Sequence, residues 1–272
     1  MNVSTIIDER IISMKTDQEI KNDVKEKYAE IAKGQISVIA TKASSCGSGA
    51  SSCCGTGSES LVQMSLDYKP EDLSILPEGA DLGLGCGVPT AFADLKEGYT
   101  VLDLGSGAGI DAFIAARHVG MTGKAIGVDM TEAMIEKAKA NAKKINATNV
   151  EFRLGEIEAL PVEDDYVDRV ISNCVINLVP NKKRAFQEIY RVLKPGGKFT
   201  VSDIVVDGAV SIEERNNAAL WAGCISGAID RKEYIDFIRK AGFKNIEIVS
   251  EKNYDYRLDN AQLSSITISG TK

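Results

Sequence analysis

Residues 17–33, with the sequence D-Q-E-I-K-N-D-V-K-E-K-Y-A-E-I-A-K, set Ile20, Val24, Tyr28 and Ile31 at helical spacing, with charged residues between them. An apolar stripe of that period predicts an amphipathic helix, and Gly34 marks its end. From residue 100 onward short apolar runs alternate with amphipathic ones. The pattern predicts strand 100–104, helix 110–119, strand 124–129, helix 131–145, strand 150–154, strand 168–174 and helix 181–193. After the turn K-P-G-G comes strand 198–205. Strands alternating with helices predict a doubly wound α/β domain built on a parallel sheet. Beyond Gly208 the pattern predicts a helical stretch over 211–228, a helix over 231–241, and closing strands at 245–249 and 264–269. Three regions are therefore expected: 1–60, 61–207 and 208–272.

Residues 43–60, A-S-S-C-G-S-G-A-S-S-C-C-G-T-G-S-E-S, follow neither period and read as a low-complexity loop. Cys46, Cys53 and Cys54 lie in it, and a mobile loop lets a thiol travel between partners. The 272 residues are ordinary in composition, 44% hydrophobic and 26% charged, with a net charge of -7. The acidic balance, with no Lys/Arg-rich block, excludes nucleic acid and anionic membranes as expected partners. No apolar run is long enough to span a bilayer. The start, M-N-V-S-T-I-I-D-E-R, carries charges where a signal peptide needs apolar residues, so a cytoplasmic location is expected. A monomer is expected as well.

In a reducing compartment six cysteines point to metal binding or thiol chemistry rather than a disulfide framework. None forms C-x-x-C, which weakens a structural zinc reading. The single histidine, His118, falls in the predicted helix 110–119 and reads as a surface or packing residue. Histidine-based nucleophile pairs and imidazole-rich metal sites lose their support.

V-L-D-L-G-S-G-A-G (101–109) ends a predicted strand and opens a helix. Glycines at such a turn let the backbone approach a ligand closely. A dinucleotide fingerprint would need a further glycine where Ile110 stands. The segment instead resembles the first motif of class I S-adenosylmethionine methyltransferases. That resemblance implies cofactor contacts at Asp103, Gly105, Ser106, Gly107 and Gly109. Asp129, ending the second strand, suits ribose hydroxyls or a helix cap, and both roles stay open. Met130 beside it is placed to pack on the adenine face. G-E-I-E-A-L-P (155–161) resembles the adenine-binding motif of the same enzymes, which implies Glu156 at the adenine amino group and Ile157 at the ring edge.

Ligands of open α/β sheets bind at the carboxyl ends of the strands. Cys174 falls there, and position alone leaves it either facing the crevice or serving as a small buried apolar residue. Cys86 lies between glycines, and Cys224 lies in the small-residue stretch L-W-A-G-C-I-S-G-A. The protein resembles the arsenite S-adenosylmethionine methyltransferases in G-C-G with its following proline (85–89), the segments 101–109 and 128–131, S-N-C-V-I-N-L-V-P (172–180), R-V-L-K-P-G-G (191–197) and W-x-x-C-x-x-G-A (221–228). Two departures are Leu84, where animal and algal members carry tyrosine, and Val88, where many microbial members carry asparagine. The resemblance implies that Cys86, Cys174 and Cys224 bind arsenic as thiolates. It also implies that Cys53 or Cys54 forms a transient disulfide with Cys86, reset by a reductant of the thioredoxin or glutathione type. Arsenite and methylated trivalent arsenicals would be the substrates. Two other readings stand beside it: a methyltransferase for a small organic acceptor such as a quinone precursor, and a thiol protein that binds metal without catalysis.

Overall fold

The computed structural model describes residues 15–35, 68–208, 210–211, 227–258 and 261–272. Cys46, Cys53, Cys54 and Cys224, and residues 212–226 of the expected helix 211–228, lie outside the described residues.

The first helix, α1 (Asp17–Ala32), opens with a capping box. Thr16 accepts the Glu19 N–H and the Glu19 carboxylate accepts the Thr16 N–H, which satisfies two end groups at once. Val24 and Ile31 of its apolar stripe are buried. A short α2 (Pro70–Leu73) follows. The alternating part is β1 (Thr100–Leu104), α3 (Ile110–Val119), β2 (Lys124–Asp129), α4 (Glu132–Lys144), β3 (Val150–Leu154), β4 (Val167–Asn173), α5 (Lys182–Val192) and β5 (Leu193–Asp207). The fold closes with α6 (Arg231–Lys240), β6 (Lys244–Leu258) and β7 (Ala261–Thr271).

Seven strands form one sheet in the order β3-β2-β1-β4-β5-β7-β6. The backbone winds outward from β1 to β3 and then returns to lay β4 against the other side of β1. The crevice between the carboxyl ends of β1 and β4 is the switch point at which such sheets bind ligands. The first five strands pair in parallel, as expected, but β7 is antiparallel to both β5 and β6. The closing strands thus extend the same sheet beyond residue 207. They are also longer than the expected 245–249 and 264–269, and the hydroxyl residues Ser264, Ser265, Thr267 and Ser269 of β7 are buried. Some of these hydroxyls are hydrogen-bonded inside: Ser202 pairs with Thr267 at 2.9 Å, and Ser265 donates to the Cys86 carbonyl at 2.7 Å.

The larger core lies between the sheet and α5–α6. Phe199 of β5 meets Phe186 of α5 and Phe243 edge to face, and Phe186 meets Tyr234 of α6 in the same way. On the crevice side a smaller cluster joins Val24 of α1 to Cys86, Cys174, Leu178 and Ile204. Among the described residues no helix is long and apolar enough to cross a membrane.

Phe199 is fully buried between two aromatic partners. Phe199→Ala should lower the unfolding free energy by about 3–5 kcal/mol, read as a shift in urea midpoint at unchanged slope. A loss below about 1 kcal/mol would show that this layer does not hold α5 and α6 to the sheet.

Candidate functional site

The β1–α3 turn is built from glycines in conformations that other residues resist. Gly105, Gly107 and Gly109 have φ of 61°, 50° and 102°. A Cβ on Gly105 would lie 2.3 Å from the Val175 side chain, and one on Gly109 would strike Phe113 and Phe152. A Cβ on Gly107 would meet nothing within 4 Å, so its backbone borders open space. That space is a pocket lined by Asp103, Gly105, Ser106 and Gly107 and by Asp129, Met130, Glu156 and Ile157. Cys174 lines it too. Gly109 stands behind the turn as the N-cap of α3.

The Asp129 carboxylate accepts the Gly107 N–H at 3.0 Å and the Thr131 N–H at 2.8 Å. The cap of α4 itself is Thr131, so Asp129 braces the glycine turn and borders the pocket. Glu156 is engaged by α1: Lys21 lies at 2.8 Å and Lys25 at 3.6 Å, and Lys21 also pairs with Glu158. The hydrogen bond from Lys21 holds the Glu156 carboxyl below its ordinary range, against the effect of burial. The amphipathic helix therefore closes this end of the pocket, with Lys21, Val24 and Tyr28 facing into it.

Cys174 sits one residue beyond the end of β4 rather than within it, with φ of 60°. Its N–H donates to the Ser202 carbonyl at 2.7 Å, and the Cys86 thiol reaches the same carbonyl at 3.5 Å. Both cysteines are buried. Their sulfurs and a carboxylate oxygen of Asp203 all lie within 4.8 Å of one another. Gly87, next to Cys86, allows this approach: a Cβ there would lie 2.6 Å from the Ser202 hydroxyl.

Asn173 joins the two halves of the site. Its side-chain oxygen accepts the N–H groups of Cys86 and Gly87 at 3.0 and 3.2 Å. Its amide nitrogen faces the Gly87 carbonyl at 2.8 Å, the Tyr68 hydroxyl at 3.1 Å and Asp111 at 3.1 Å. Tyr68 in turn donates to Asp111 at 3.0 Å.

Acidic groups crowd the crevice. Burial, followed by the charges of Asp111 and Asp129, pushes Asp103 well above its ordinary range, and its Oδ2 has no partner among the described residues. Burial pushes Asp111 up to about 6, against the hydrogen bonds from Asn173 and Tyr68. Asp203 is pushed up to about 7 by burial, opposed by the Tyr234 hydroxyl at 2.7 Å and by the charge of Lys182.

The sequence reading missed Tyr68, Asp111, Asn173 and Asp203. A signal for the last existed: V-S-D-I-V-V places one acid in an otherwise apolar strand. His118 lies 3.3 Å from Asp72, away from the pocket.

A methyltransferase-domain family matches residues 95–258. An arsenite methyltransferase of Halobacterium salinarum is 44% identical over 247 residues, which is 88% of this chain and 61% of that protein. The human arsenite methyltransferase is 39% identical over 168 residues, covering 58% of this chain and 44% of the human protein. The chain thus spans about three fifths or less of the curated relatives it matches. Among solved structures, an arsenic(III) S-adenosylmethionine methyltransferase from Chlamydomonas reinhardtii superposes with a TM-score of 0.64 at 36% identity, over 76% of this chain and 71% of that one.

Asn173→Ala would strip the Cys86 loop of its acceptor, costing about 2–4 kcal/mol of stability. Bridging of Cys86 and Cys174 by a bifunctional thiol reagent should slow about tenfold as the sulfurs lose their fixed separation. An unchanged bridging rate would show that other contacts set that separation.

For Asp111 the sign of the pH effect follows from burial. The native state keeps the proton to about pH 6, whereas the unfolded polypeptide releases it near pH 4. The native state binds more protons in that window, so stability from this group falls as pH rises through it. Asp111→Asn removes the effect. The variant should gain roughly 2–4 kcal/mol relative to the parent protein between about pH 4 and pH 7, measured as a difference of unfolding free energies. A flat difference would mean that Asp111 titrates normally.

Proposed function

The chain belongs to the arsenite methyltransferase family, and from that premise we propose that it transfers methyl groups from S-adenosylmethionine to trivalent arsenic held by Cys86, Cys174 and Cys224. The observation that carries this reading is the thiol pair, within 4.8 Å, of which Cys174 lines the pocket bordered by the glycine turn.

The pocket fits the cofactor on two counts. Gly107 leaves open space for a close backbone approach. Asp103, with a buried oxygen that has no partner among the described residues, gathers with Asp111 and Asp129 into an acidic wall suited to a ligand that carries an ammonium and a sulfonium. S-adenosylmethionine supplies an electrophilic methyl group on that sulfonium. Asp129, which borders the pocket, would take the ribose hydroxyls. Met130 and Ile157 would flank the adenine, and Glu156, shared with Lys21 and Lys25, would meet its amino group.

Thiolates are soft ligands and select soft acceptors. Each cysteine displaces one hydroxide of arsenous acid, its thiol proton leaving with that hydroxide as water. The three As–S bonds leave the arsenic lone pair exposed. Cys86 and Cys174 would hold the arsenic with that lone pair toward the pocket, where it would take the methyl group as the sulfonium's S–CH₃ bond breaks and S-adenosylhomocysteine leaves. No proton moves in this step, which suits a site built without histidine. Fixing the line of attack contributes up to about 7–11 kcal/mol. The product arsenic is formally pentavalent, and two thiols closing to a disulfide supply the two electrons that return it to the trivalent state. A thioredoxin- or glutathione-type reductant then reopens the disulfide.

Purified protein incubated with S-adenosylmethionine, arsenite and a thiol should yield methylated arsenicals on speciation. Cys174→Ser should abolish the product while S-adenosylmethionine still binds, whereas Cys86→Ser should still methylate an already methylated arsenical, which needs only two thiolates. Undiminished arsenite methylation by Cys174→Ser would sink the proposal. Asp129→Ala should weaken cofactor binding about tenfold, the loss of a hydrogen-bonded carboxylate; an unchanged isotherm would reduce Asp129 to a brace for the turn.

A further inference from the structure

Asp203 has no part in the chemistry above, yet it is fully buried beside the thiol pair. The Tyr234 hydroxyl donates to its Oδ2 at 2.7 Å and the Asn177 backbone N–H also stabilises the carboxylate, while Oδ1 accepts no hydrogen bond of good geometry among the described residues. Two thiols and a carboxyl group gathered away from water would place three negative charges in a small volume on ionising, a cost that the nearby charge of Lys182 offsets only in part and that a bound cation would offset further. We propose that Cys86, Cys174 and Asp203 form a binding site for a soft divalent cation of the zinc–cadmium class, which competes with arsenic for the same two sulfurs. The inference rests on the reading that this thiol pair holds arsenic, and it gives that site a regulator.

Zinc binds thiolate sulfur at about 2.3 Å and carboxylate oxygen at about 2.0–2.2 Å, and three protein donors with one open position is a common arrangement. Donor atoms around such an ion stand roughly 3.5 Å apart. Atoms already within 4.8 Å of one another therefore close on it through side-chain adjustment alone. Tyr234 fixes the carboxylate from behind, as an outer hydrogen bond orients a ligand, and leaves Oδ1 for the metal. Trivalent arsenic favours sulfur over carboxylate oxygen, whereas zinc and cadmium accept both. The two occupants share Cys86 and Cys174 and differ at Asp203.

The test uses the full-length reduced protein, freed of metal and titrated with Cd²⁺ alone, with no S-adenosylmethionine present. The expected result is a thiolate-to-cadmium charge-transfer band that saturates at one equivalent, disappears in Cys174→Ser, and is displaced by arsenite. Asp203→Asn should weaken cadmium binding at least about tenfold. If that variant does not fold, the ¹¹³Cd resonance of the parent protein settles the matter: a shift for two sulfurs plus oxygen supports the site, and a shift for three or more sulfurs overturns it. A band that survives Cys174→Ser, or unchanged affinity in Asp203→Asn, also overturns it. Arsenic speciation is a separate readout, so absent methylation with an intact cadmium site would refute the functional reading and not the cation site.

Discussion

The side chain of Asn173 is the joint on which this site depends. Cys86 lies in a segment with no regular secondary structure of its own, so nothing in a helix or strand ladder fixes where its sulfur points. Asn173 supplies that constraint by closing a ring of hydrogen bonds with the backbone of Cys86 and Gly87. Each such bond contributes about 1 kcal/mol net, but the geometric consequence is larger than the energy. Asn173 directly precedes Cys174, so the amide that captures one thiol is covalently tied to the other. Its remaining contacts, to Tyr68 and Asp111, fasten the same joint to the pocket at the start of α3.

Two close approaches complete the arrangement, and both need glycine. Val175 passes so near the β1–α3 turn that only Gly105 leaves room, and Ser202 passes so near the Cys86 loop that only Gly87 does. The glycines that look like separate motifs in the sequence serve one packing problem. They let the segment Asn173–Val175 sit between the glycine turn and the Cys86 loop. A methyl group at either position would push these layers apart in a core that relaxes little.

Much of this was legible in the sequence, for reasons that can be stated. The helices and the first strands show because one face of each is buried, and burial of one face writes a period into the sequence. Cys174 could be placed beside the crevice because the switch point of a doubly wound sheet is a topological consequence of that alternation. The burial of both faces of β7 was not legible, since Ser264, Ser265, Thr267 and Ser269 look like a surface face and are instead buried. Asn173 and Asp203 escaped for the same reason: a polar residue in a strand reads as outward until its partners are known. The hold of α1 on Glu156 through Lys21 escaped because it joins residues remote in sequence, and no local pattern records such a pairing.

The electrostatics divide the crevice into two chemically distinct halves. On the glycine-turn side burial raises the proton affinity of Asp103, Asp111 and Asp129, and the charges of Asp111 and Asp129 raise that of Asp103 further, a cost to the fold that a cationic ligand would offset. On the other side the thiols of Cys86 and Cys174 and the Asp203 carboxyl form a second group of donor atoms, within 4.8 Å of one another, and sulfur donors prefer soft acceptors. Asn173 stands between them as a neutral amide, satisfied on both faces. It transmits position from one half to the other without adding charge to either.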